Sequence, residues 1–185
     1  MTNPAQNFSQ QTCGPAIRIM TLALLLVAFG ASTALAQTNG YVTNSADNTV
    51  SVIDTTTNTV VATVPVGSFP RGLAVTPNGA FVYVANLNDN SVSVISAATN
   101  TVTATVPVGV GPFDVAITPN GAFVYVTNQT AGTVSVIDTA TNTVIATVPV
   151  GVSPFGVAVT PNGSFASVAT LLTFDISVIS TTTTL

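Results

Sequence analysis

An all-β chain built from a repeated four-stranded unit is what this sequence predicts, and three observations carry the prediction. Apolar residues fill 47% of the 185 positions and charged residues only 4%. Most of the apolar residues are valines, which with Ile, Thr, Tyr and Phe favour pleated, half-buried surfaces. Short blocks recur at a fixed interval of 42 residues. Turn signals rich in Pro, Asn and Gly separate short apolar or alternating runs.

The repeat is read first, because missing one misassigns the whole fold. Tyr41-Val-Thr-Asn44, Tyr83-Val-Ala-Asn86 and Tyr125-Val-Thr-Asn128 keep that interval. So do the Thr-Pro-Asn-Gly blocks at 76–79, 118–121 and 160–163, and the Val-Pro-Val-Gly blocks at 64–67, 106–109 and 148–151. Three full units result, 41–82, 83–124 and 125–166, with a partial fourth at 167–185.

Four strands fit each period. In one copy, strand a is Asp114–Thr118, and the turn Pro119-Asn120-Gly121 ends it, with Pro presetting φ and Asn and Gly tolerating positive φ. Strand b is Phe123–Asn128, strand c Thr133–Asp138 and strand d Thr143–Val150. The a–b turn is therefore expected to tolerate substitution less well than the Thr139–Asn142 loop. Strands a, b and c are apolar on both faces, whereas a sheet with one solvated face would alternate. Strand d alternates Thr with apolar residues and carries Pro65, Pro107 or Pro149. Proline cannot donate to the ladder, so strand d is an edge. A sheet wedged between two others with one protected edge is a propeller blade. The rungs of a parallel β-helix are shorter than this period.

The tetrad Tyr-Val-Thr-Asn, the strand Thr-Val-Ser-Val-Ile-Asp, the Val-Pro-Val-Gly end and the Thr-Pro-Asn-Gly turn together resemble the YVTN-family β-propeller repeat, over residues 41–185. That family includes surface-layer proteins of bacteria and archaea and YncE-like periplasmic proteins. The resemblance implies a propeller, commonly seven-bladed, exported and usually not catalytic. This chain departs from the pattern in its shortness and in its uncharged turns.

The strand count runs b-c-d, a-b-c-d, a-b-c-d, a-b-c, about three and a half repeats. A partial or four-bladed propeller is expected, with an apolar sheet face open at each end. Val50, Val52 and Ile53 in the first unit and Ile176, Val178 and Ile179 in the last are expected on those faces. Self-association follows, either as a dimer closing an eight-bladed ring or as higher association; a truncated relative of a longer parent is the alternative.

Residues 1–36 read as a leader and signal peptide. Arg18 precedes the apolar run Ile19–Phe29, and Ala34-Leu35-Ala36 is an A-x-A cleavage signal before Gln37. The run is shorter than the roughly 20 apolar residues of a spanning helix; an uncleaved anchor is the alternative. Cleavage removes Cys13 and leaves Arg71 against six Asp, a net charge of −5. With no basic patch to neutralise phosphates, nucleic acid is excluded as a partner, and no membrane association is expected after cleavage.

The inventory also argues against catalysis. The chain has no His, Lys or Glu, so a Ser-His-Asp or Cys-His arrangement lacks its base, and zinc or copper lacks its usual ligands. No cofactor is expected. Calcium remains through Asp and Asn oxygens, with Asp47 and Asp89 in the b–c loops as the candidates. A plain Asn/Asp turn accounts for the same residues. The positions that vary between otherwise similar copies precede strand a, where Arg71, Phe113, Asp114 and Phe155 stand. They read either as a rim contacting a partner, with the Phe rings as anchors, or as packing of the strand start. Asp54 and Asp138 read as loop caps, and Asn128-Gln-Thr130 and Asn162-Gly-Ser164 match the glycosylation acceptor pattern.

The function expected is an exported, non-enzymatic propeller module, in the periplasm or at the cell surface, binding or scaffolding protein or glycan. A periplasmic propeller for a small ligand or metal is the alternative, followed by a truncated relative of a propeller enzyme.

Overall fold

The computed structural model describes residues 39–181; the expected leader and its cleavage site at Ala36 and Gln37 lie outside them. Among the described residues fourteen strands form four antiparallel sheets. The first holds β1 (Asn39–Asn44), β2 (Thr49–Asp54) and β3 (Thr59–Pro65). The second holds β4 (Pro70–Val75), β5 (Phe81–Asn86), β6 (Ser91–Ser96) and β7 (Thr101–Pro107). The third holds β8 (Pro112–Ile117), β9 (Phe123–Asn128), β10 (Thr133–Asp138) and β11 (Thr143–Pro149). The fourth holds β12 (Pro154–Val159), β13 (Phe165–Thr170) and β14 (Ile176–Ser180). Within each sheet, strands adjacent in sequence are adjacent in space. These are the blades of a β-propeller.

The core lies between blades. Val50, Val52 and Val64 of the first meet Val82, Val84 and Ile95 of the second. Tyr83, Val92 and Val94 meet Val124, Val126 and Ile137 of the third. Tyr125, Val134 and Val136 meet Ala166, Val168 and Ile179 of the fourth. Alternate residues of one strand thus serve opposite neighbours, which is why β5, β6, β9 and β10 are buried on both faces. The proline-bearing strands β3, β7 and β11 are the solvent-facing edges.

The recurrent blocks have separate tasks. In Thr76-Pro-Asn-Gly79, Thr76 Oγ1 donates to Asn78 Oδ1 (2.7 Å) and accepts from Phe81 N (3.0 Å), while Ala80 N donates to Asn78 Oδ1 (3.0 Å). Only the glycine takes positive φ, at 70°, 72° and 72° in the three copies. The tetrad asparagines Asn86 and Asn128 are buried, each donating through Nδ2 to two hydroxyls of the next strand. That burial removes Asn128 as a glycosylation acceptor. The glycines of Val-Pro-Val-Gly lie against these amides: a Cβ on Gly67 or Gly109 would fall 2.6 Å from Cγ of Asn86 or Asn128. Asp54 and Asp138 cap their loops, Asp54 Oδ1 accepting from Thr56 and Thr57 and Asp138 Oδ1 from Ala140 and Thr141. The Thr56 hydroxyl and amide hold the Asp54 carboxyl below its ordinary range.

Three expectations are corrected. Strand a starts two residues earlier, at Pro70, Pro112 and Pro154, because its start pairs with the end of strand b before a bulge interrupts the register. Val50, Val52 and Ile179 do not lie on open faces: they are 0%, 0% and 5% exposed, pointing at the neighbouring blade. Ile176 and Val178 of the same expectation are exposed, at 71% and 62%. The Thr139–Asn142 loop is no more permissive than the a–b turn, since Asn142 has φ 53° and accepts from Tyr83 of the preceding blade (2.8 Å). Gly121→Ala and Asn142→Ala are accordingly expected to destabilise by similar amounts, about 1 kcal/mol or somewhat more each. Parallel thermal melts check this, and a much smaller shift for Asn142→Ala would contradict the inter-blade bond.

Candidate functional site

The bulge at the start of each inner strand sets the site. Pro112 pairs with Asn128 and Val115 with Val126, so Phe113 and Asp114 together oppose Thr127. Arg71 and Gly72 occupy the same place in β4, and Phe155 and Gly156 in β12. A bulge re-aims side chains out of the pleat, and here it groups three residues that the sequence separates by whole periods. The Phe113 and Phe155 rings stack with centroids 4.1 Å apart and planes tilted 32°. The Arg71 guanidinium carbon lies 4.4 Å from the centroid of the Phe69 ring and 5.4 Å from that of Phe113, within cation–π range. Its Nε is buried and unpartnered among the described residues. Phe155, at 41% exposed, is the outermost ring.

Asp114 does different work. Its Oδ2 accepts from Val157 N of the next blade (3.0 Å), and its amide donates to Thr127 Oγ1 (3.0 Å). The other oxygen lies over Gly72, where a Cβ would come within 2.6 Å of it. Asp114 therefore joins the inner strands of three successive blades. The cation and the rings make one cluster beside it.

Sequence reasoning did not single out Phe69. It has φ 57° where the equivalent positions hold Gly111 and Ser153. A bulky residue in the left-handed region is an outlier, of order 1–2 kcal/mol in cost. Its amide donates to Asn48 Oδ1 (2.8 Å), and its carbonyl accepts from Leu87 N (3.1 Å). A phenylalanine standing where the other copies hold Gly111 and Ser153 was the available signal.

The calcium candidates do not converge. Asp89 Oδ2 accepts from Ser68 N (2.6 Å), fastening the b–c loop to the incoming chain, while Asp47 is exposed at the preceding blade's loop. Among the described residues no three His, Cys, Asp or Glu side chains gather as metal ligands. The a–b turns lie at the opposite end of the blades. There a cleft of about 550 Å³ is lined by Thr118, Pro119, Asn120, Phe123, Asn162 and their neighbours, and a similar one of about 230 Å³ lies one blade earlier.

The chain spans less than half the length of each of the relatives it matches. A Kuenenia stuttgartiensis hydrazine synthase structure superposes with a TM-score of 0.75 at 25% identity, over 79% of this chain and 44% of that one. A functionally unknown protein from Desulfotomaculum acetoxidans gives 0.62 at 21% identity, over 71% and 48%. Dihydro-heme d1 dehydrogenase NirN in complex with DHE gives 0.58 at 15% identity, over 80% and 42%. In sequence, the PE-PGRS family protein PE_PGRS18 of Mycobacterium tuberculosis is 56% identical over 39 residues, 21% of this chain and 8% of that protein. The family model described as lactonase, 7-bladed β-propeller matches residues 31–105 and 75–147, more than half the chain. With repeated four-stranded blades beneath those matches, the chain belongs to the seven-bladed β-propeller lactonase family.

Proposed function

We propose that this chain is an exported, non-enzymatic propeller module that binds a protein or glycan, at the cell surface or in the periplasm, through the face bearing Phe69, Arg71, Phe113 and Phe155. One observation carries the reading. The only cation of residues 37–185 is held between rings, one of which occupies a strained position that glycine would fill without cost. Strain of this kind persists where function asks for it, and Arg with aromatic rings is the composition of binding hot spots. Lactone hydrolysis, which the family name suggests, finds little support in the residues. The chain has no His to serve as base, and the Asp114 carboxylate is engaged with backbone.

The test takes the exported protein from culture. Its intact mass should begin at Gln37, and it should adsorb saturably to isolated cell envelopes. Arg71→Ala or Phe155→Ala should weaken adsorption about tenfold, the size of a modest hot spot. Phe69→Gly should do the same while leaving the melting temperature within a few degrees. Lactone turnover that disappears in Asp114→Ala would sink the reading.

A second reading, a small-ligand binder, is favoured by the 550 Å³ cleft at the a–b turns. It predicts binding that is insensitive to Arg71→Ala and lost on Phe123→Ala.

A further inference from the structure

The a–b turns of successive blades form the same cleft twice. Between the third and fourth blades, Thr118, Pro119, Asn120 and Phe123 line about 550 Å³ together with Asn162 and Gly163. One blade earlier, Thr76, Pro77, Asn78 and Phe81 line about 230 Å³ together with Asn120 and Gly121. Each residue of the second set stands 42 positions before its counterpart in the first. The turns pack on one another, since a Cβ on Gly121 would lie 3.3 Å from Pro77 Cδ and one on Gly163 3.4 Å from Pro119 Cδ. Asn120 lines both clefts, so the two make one track across the end of the blades.

The backbone along this track is already engaged. Thr118 N donates to Phe123 O (3.0 Å), Gly121 N to Thr118 O (2.8 Å) and Phe123 N to Thr118 Oγ1 (3.0 Å). Thr139 Oγ1 donates to Gly121 O (2.7 Å), and Thr181 Oγ1 to Gly163 O (2.6 Å). An added peptide strand would find no free ladder to extend here. The side-chain amides are different. Asn78, Asn120 and Asn162 each accept twice through Oδ1, from the hydroxyl of the turn threonine and from the amide two residues on. Those two bonds fix which way the carboxamide points. They leave Nδ2, on residues exposed to solvent, without a partner among the described residues. Beside these donors stand Phe81, 40% exposed, and Phe123, half-buried against the third blade's core. No charged side chain lines either cleft.

The geometry points to a neutral oligosaccharide as the ligand of this track, lying across the a–b turns of successive blades. A sugar ring offers a C–H face that suits an aromatic or proline ring, and a hydroxyl edge that accepts from a carboxamide. Neither contact calls for a charge. Aromatic walls with a few fixed polar groups are the usual make-up of a small-molecule site. Repetition at about the 10 Å spacing of packed sheets suits a ligand made of repeating units better than a single compact one. Such a ligand deepens the small-ligand reading of this cleft, on which it rests, and is independent of the Arg71 face.

Isothermal titration of the exported full chain with neutral hexasaccharides of glucose, mannose and galactose reads the site. At least one should bind, and the disaccharide of the same sugar, spanning one cleft, should bind about tenfold more weakly or less well still. Phe81→Ala and Phe123→Ala should each lower hexasaccharide affinity about tenfold. Asn120→Asp is the sharper variant, because it keeps the oxygen that Thr118 and Ala122 need and replaces only the Nδ2 donor with an acceptor. It should abolish binding while leaving the melting temperature within a few degrees, and Arg71→Ala should bind as the wild type does. No binding of any of the three hexasaccharides, or wild-type affinity in Phe123→Ala or in Asn120→Asp, would overturn the proposal. A disaccharide bound as tightly as the hexasaccharide would overturn the extended track and leave the small-ligand reading standing.

Discussion

Replacing Tyr83 with alanine is expected to lower the melting temperature by on the order of 10 °C, from about 3–5 kcal/mol for emptying an aromatic site and about 2–4 °C per kcal/mol at this chain length. Tyr83 is 1% exposed and sits in the cluster joining the second and third blades. Its hydroxyl crosses the junction to Asn142 Oδ1, and burial, followed by the charge of Asp138, raises the phenol above its ordinary range. Alanine removes the ring from both blades at once. Tyr83→Phe keeps the ring and loses only the bond, so about 1–2 kcal/mol is expected for it. Circular dichroism melts of the two variants separate packing from hydrogen bonding. A Tyr83→Ala shift no larger than that of Tyr83→Phe would mean the junction is not a packed core.

Gly109→Ala is expected to cost about 2–3 kcal/mol, the upper range for overpacking a filled interior. The added methyl would lie 2.6 Å from both Cγ and Nδ2 of Asn128. Asn128 cannot yield cheaply, because it is buried and its Nδ2 is committed to Thr133 and Ser135. Gly40→Ala is the control: its nearest neighbour would be 3.8 Å away and its φ is not positive, so a shift within about 0.5 kcal/mol is expected. Urea titrations of the two variants test this, with equal midpoints counting against the close approach.

The interlock of Asn128 with Gly109 shows how far the sequence could be read. Both residues were visible as parts of recurrent blocks, and the same pairing recurs as Asn86 with Gly67. Their contact was not visible, because it links the connection that leaves one blade's outer strand to the next blade's second strand. Strands b and c were legible to the residue, since a run apolar on both faces and bounded by turns has one register that buries it. Strand a was not, since a bulge inserts Phe113 and Asp114 against Thr127 without any signal in hydrophobic period. The rim residues Arg71, Phe113 and Phe155 stood out as variable positions in a conserved frame of repeats, but their stacking, and the strained Phe69 beside them, required three bulges to meet at one end of the blades.

By itself the sequence determined the repeat, the four-strand order and the edge position of the proline strand, because these follow from local period, turn chemistry and the missing proline amide. Which of two apolar faces is covered, which asparagine supports which glycine, and that Asp114 ties blades together were decided only by tertiary structure. The reason is physical: alternation along a strand says that both faces avoid water, and only the neighbouring blade settles what each face meets.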